Sequence, residues 1–122
     1  MKKEVAMYII IGVLSVATDY GSYLFLANIL PTEYAKTISY VCGMVVGFLC
    51  NRTFTFKSNN KVHHDALRFT VLYMGSLLLN VLTNELLLYI FPSFVTIAFL
   101  VATSLSVIAN YVGQKFWVYT KR

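Results

Sequence analysis

The chain has 122 residues, 58% of them apolar and 12% charged, with ten Lys and Arg against five Asp and Glu. A water-soluble domain carries about 45–50% apolar and about 25% charged residues, so this composition argues against an ordinary soluble enzyme. The charges are also confined to short stretches. The runs between them approach the roughly 20 residues that a helix needs to cross a bilayer.

Four such runs follow in chain order. The first covers about 5–30 and is broken only by Asp19. Lys2 and Lys3 ahead of it could open a signal peptide, but the run is too long and lacks a small-residue cleavage site, which predicts a retained helix. The second covers about 34–51, with Lys36 at its start. The third, about 67–91, contains Asn80, Asn84 and Glu85, and the fourth, about 94–113, has no charge. Apolar residues do not alternate as barrel strands require. The expected fold is all-α and polytopic, with four transmembrane helices in a single domain and a loop over about 52–66.

The basic residues orient it. Lys2, Lys3, Arg52, Lys57, Lys61, Arg68, Lys115, Lys121 and Arg122 fall on one side, and only Lys36 falls on the other. The positive-inside rule then puts both termini and the central loop in the cytoplasm, with the chain in the cytoplasmic (inner) membrane. Topology and anionic lipid heads account for the basic excess without nucleic acid. Cys42 and Cys50 sit too far apart along one helix to form a disulfide. His63 and His64 have no Cys or carboxylate cluster beside them, so no metal or other cofactor is expected. Asn51-Arg52-Thr53 matches a glycosylation sequon only formally, since it falls on the cytoplasmic side.

The halves repeat. A shift of 63 residues carries Gly12 onto Gly75, Leu14 onto Leu77 and Ala35 onto Ala98. It also carries Phe48, Asn51, Arg52, Phe54 and Phe56 onto Tyr111, Gln114, Lys115, Trp117 and Tyr119, matching them class by class. Two helices per half make these parallel two-helix repeats, a plan that transporters use to form sites at the repeat interface. Ser39, Gly43 and Gly47 stack on one face of the second helix, and Ala98, Ala102 and Ser106 on one face of the fourth. Small residues let helix backbones approach closely in lipid, so both stripes read as packing seams, inside the chain or in a homodimer.

Several polar residues could carry chemistry. Asp19, near the middle of the first helix, costs at least about 2.5–3.5 kcal/mol if ionised in lipid, so it should face the bundle as a proton-coupling, cation-pairing or structural group. Glu85 lies nearer the outer end of its helix, and Asn80 should bond to a neighbouring helix. Arg52 and Lys115 end equivalent helices and Arg68 opens the third. With Asn51, Asn110 and Gln114 they could form a phosphate-and-sugar site at the cytoplasmic boundary, since guanidinium grips phosphate through paired hydrogen bonds. Snorkelling side chains and an aromatic belt would give a similar pattern. No nucleophile–base pair or phosphate-binding loop appears, so an enzyme is not expected.

The segment Gly47-Phe48-Leu49-Cys50-Asn51-Arg52-Thr53-Phe54-Thr55-Phe56, with Arg68-Phe69 and the closing 110–119 stretch, resembles the GtrA-like membrane proteins over nearly the whole chain. The second copy departs from the first, with Gln114-Lys115 in place of Asn51-Arg52. The resemblance implies movement of a polyprenyl-phosphate-linked sugar to the outer leaflet for glycosylation of surface polysaccharide or teichoic acid. It also implies membrane glycosyltransferases as partners. Two other readings stand beside it: a proton-coupled small-cation exporter of the small-multidrug-resistance type, and an assembly subunit that transports nothing.

Overall fold

The structure, a computed structural model, describes residues 2–121 and is helical wherever it is regular. It divides into two compact units, Met1–Ser58 and Asn59–Arg122. The first unit holds α1 (Lys2–Leu26) and α2 (Thr32–Cys50), and α2 runs on into a π-helical turn, Asn51–Thr55. The second holds α3 (Val62–Ile90) and α4 (Val95–Gly113), and α4 runs on into a second π turn, Gln114–Val118.

Local sequence explains the ends. Pro31, with φ −55°, stands directly ahead of α2, where its fixed dihedral leads into the helix, and Glu33 favours the positive end of the helix dipole. Between α3 and α4 the chain turns at Phe91, whose carbonyl accepts from the Phe94 N–H at 3.1 Å. The two phenyl rings stack 5.8 Å apart.

The 63-residue shift holds element by element: α2 at 32–50 maps onto 95–113, which is α4, and the π turn at 51–55 maps onto 114–118. Both π turns close alike. The Phe56 N–H donates to the Asn51 carbonyl at 2.9 Å, and the Tyr119 N–H to the Gln114 carbonyl at 3.0 Å.

Each unit is built inside out. Leucine, valine and phenylalanine side chains such as Val16, Phe25, Leu78 and Leu82 face outward, as lipid-facing helices require. Small residues line the inside: Ala35 and Ser39 of α2, and Ala98, Ala102 and Ser106 of α4, are buried. A Cβ on Gly43 would stand 2.7 Å from the Ser15 carbonyl oxygen, and one on Gly47 2.8 Å from Ser15 Oγ. The α2 seam therefore belongs to the α1–α2 contact. In the second unit Gly113 lies against the Leu72 side chain, and Asn80 Nδ2 donates to Ser106 Oγ at 3.2 Å.

One expectation is met in part and two need correction. Among the described residues three helices, Lys2–Leu26, Val62–Ile90 and Val95–Val118, are long and apolar enough to cross a membrane. α2 falls short because Glu33, Lys36 and several hydroxyl residues occupy its first turns. The helices also do not follow the apolar runs. α1 starts at Lys2 and stops at Leu26, and α3 starts at Val62, because backbone hydrogen bonding continues through polar first turns that hydropathy marks as loop. Finally, the chain past residue 51 stays helical to Thr55, which shortens the loop to 56–61.

Candidate functional site

At the basic end of the second unit, three of the singled-out residues share one property. Arg68, in the second turn of α3, buries Nη1 without a hydrogen-bond partner. Asn110 Oδ1 and Gln114 Oε1 are likewise buried and unpartnered. Asn110 and Gln114 are four residues apart, so they lie on one helix face. The residue one turn beyond Arg68 on its own helix is Leu72, which packs on Gly113. The Arg68 turn therefore lies beside the end of α4.

A buried polar atom without a partner costs about 1–3 kcal/mol, and native proteins keep few of them. Here one is a cationic donor and two are neutral acceptors. Together they match a ligand that brings an anionic oxygen and hydroxyl donors.

The surroundings hold this arrangement in place. Asn60 Nδ2 donates to Asp65 Oδ1 at 3.1 Å and to the Thr120 carbonyl at 2.7 Å. That clasp ties the start of α3 to the segment after the π turn, with Asp65 fully buried. Neither Asn60 nor Asp65 stands out in sequence, although an acidic residue inside a basic loop is a usable signal. Lys115 Nζ rests 5.9 Å from the Tyr111 ring centre and 5.5 Å from that of Phe116, a cation–π setting.

In the first unit the counterpart of Gln114 is occupied. Asn51 is buried, and its Oδ1 accepts from Thr55 Oγ1 at 2.8 Å. Arg52 is half-buried and has interactions of its own. Tyr8 of α1 meets Phe56 edge to face at 6.5 Å.

Asp19 sits two turns from the end of α1 and not at its middle. Its carboxylate accepts from Ser39 Oγ at 2.7 Å and pairs with Lys36 Nζ at 3.3 Å. The ammonium also lies 5.8 Å from the Tyr23 ring centre. Within this unit Asp19 thus faces a cation and a hydroxyl. Glu85 is exposed on α3. Among the described residues no three His, Cys, Asp or Glu gather as a metal site, and the rings of His63 and His64 pack on one another.

The family model of the GtrA/DPMS transmembrane domain matches residues 7–119. The chain belongs to this family. The resemblance carried by the Asn51–Phe56 and 110–119 stretches is thereby borne out, and no curated protein matches the chain. As a GtrA/DPMS domain with membrane-spanning helices, it is a multi-pass membrane protein of a family linked to the handling of polyprenyl-linked sugars.

Proposed function

We propose that the protein moves a polyprenyl-phosphate-linked monosaccharide across the cytoplasmic membrane, supplying glycosylation of a cell-surface polysaccharide or teichoic acid, and that it makes and breaks no covalent bond. The observation that carries this reading is the set of buried, unpartnered polar atoms on Arg68, Asn110 and Gln114. Arg68 takes the lipid phosphate, the two carboxamides accept from sugar hydroxyls, and the prenyl tail stays in lipid. Lys115, next to Gln114 in the chain, adds positive charge that draws the phosphate in.

On this reading all four helices cross the bilayer, with both termini cytoplasmic and the two repeats parallel. The matched bounds of α2 with α4, and of the two π turns, support a duplicated ancestor. A single four-helix chain is small for enclosing a sugar, so a homodimer or an open groove completes the path. Membrane glycosyltransferases on either side load and use the lipid. The exporter reading is disfavoured because Asp19 already has a lysine and a serine as partners.

The test is leaflet-to-leaflet movement of a labelled polyprenyl-phosphate hexose in proteoliposomes containing this protein alone. Arg68→Ala should slow movement at least about tenfold, the cost of one charge-assisted phosphate contact. Full activity in Arg68→Ala removes the proposed phosphate contact. No movement by folded, correctly inserted wild type rejects the translocase and leaves the assembly subunit.

A further inference from the structure

The two units share an element plan but differ at the position that decides whether the π-turn carboxamide is open. In the first, the Thr55 hydroxyl donates to Asn51 Oδ1 at 2.8 Å and closes it. The same shift of 63 residues carries Asn51 onto Gln114 and Thr55 onto Val118. Val118 is fully buried and offers no hydroxyl, and Gln114 Oε1 has no partner. The other two unpartnered groups follow the same rule. Asn110 corresponds to Gly47, and Arg68 to Val5, neither of which has a polar side chain. Every unpartnered atom of the site thus lies where the first unit has nothing polar or a polar group already satisfied.

We infer that Val118 is a positioning residue that keeps Gln114 available to a sugar hydroxyl, so that the second unit alone reads the sugar and the first carries a closed structural copy. This rests on the phosphate-and-sugar reading of the site. The logic is subtractive. Valine and threonine have nearly the same shape, so the valine acts by withholding a donor. A hydroxyl at 118 engages the Gln114 amide through either of its ends, since it can both donate and accept. With the amide satisfied internally, a sugar hydroxyl gains nothing by approaching it.

The experiment uses the full chain in lipid nanodiscs and measures the affinity of two probes, a polyprenyl-phosphate hexose and the same polyprenyl phosphate without sugar. Wild type should prefer the hexose lipid by about tenfold, the worth of satisfying one buried acceptor. Val118→Thr should erase that preference and leave affinity for the bare phosphate lipid unchanged. Thr55→Val should retain it. A loss of packing would weaken both probes together, so the ratio separates positioning from structure. A Val118→Thr protein that keeps the full preference overturns the inference, as does a Thr55→Val protein that loses it. Should Val118→Thr fail to fold, Gln114→Met removes the acceptor at similar volume, and a retained preference there overturns it equally. Wild type that binds both probes alike defeats this inference but leaves the phosphate contact standing, whereas binding of neither defeats the underlying reading.

Discussion

Asp19 keeps two unlike partners, and their surroundings set how much each contributes. The Lys36 side chain is 60% exposed, so its ion pair is screened and contributes about 0.5–1 kcal/mol. Ser39 is fully buried, and its short bond to the carboxylate cannot be replaced by water. Ser39→Ala is therefore expected to destabilise the protein by about 1–3 kcal/mol, more than Lys36→Met does. Adding Lys36→Met to Asp19→Asn should then cost little further. Thermal unfolding in detergent measures all of these, and a Lys36→Met effect larger than that of Ser39→Ala would reverse the assignment. Both charges were visible in the sequence as single interruptions of apolar runs. Their pairing was not, because hydropathy marks Lys36 only as the start of the second run and says nothing of which side chain it meets from its place as the fifth residue of α2. The openness of Gln114 was equally hidden, since only the Thr55–Asn51 bond gives Val118 a meaning.

At the scale of elements, glycine contacts rank the seams. Gly43 faces a backbone carbonyl, which cannot move without shifting α1, so Gly43→Ala should cost about 1–3 kcal/mol. Gly113 faces the end of the Leu72 side chain, which can rotate away, so Gly113→Ala should cost less. Gly12 has nothing within 4 Å of its would-be Cβ, and Gly12→Ala should be neutral or gain up to about 1 kcal/mol from helix propensity. Unfolding midpoints of the three variants give the order directly. The spacing of small residues revealed the seam on α2, and the 63-residue shift revealed the matching halves. The π turns were not legible. An extra residue per turn changes which carbonyl a given N–H meets, and side-chain periodicity over five residues is too short to register it.

For the whole molecule, the apolar excess and the clustered basic residues were enough to identify a helical membrane protein. The number of crossings was less legible, because α2 lies just where length and polarity disagree. Glu33, in the first turn of α2, and Asn59, beyond its π turn, are both exposed. With Cys42 and Cys50 replaced by Ala, Glu33→Cys and Asn59→Cys should react with a membrane-impermeant thiol reagent from opposite faces of sealed vesicles. Labelling from the same face would mean that α2 does not cross, and the count would fall to three.

The Asp19–Lys36 pair bears on how such a chain enters the membrane during synthesis. α2 alone offers the insertion machinery too little apolar surface, and Lys36 makes its partition into lipid worse. α1 is translated first and already holds the matching carboxylate, and Pro31 sets the chain to turn back towards it. On the four-span reading the two helices therefore leave the translocon together as a hairpin, with the charge of Lys36 neutralised by a residue made seventeen positions earlier.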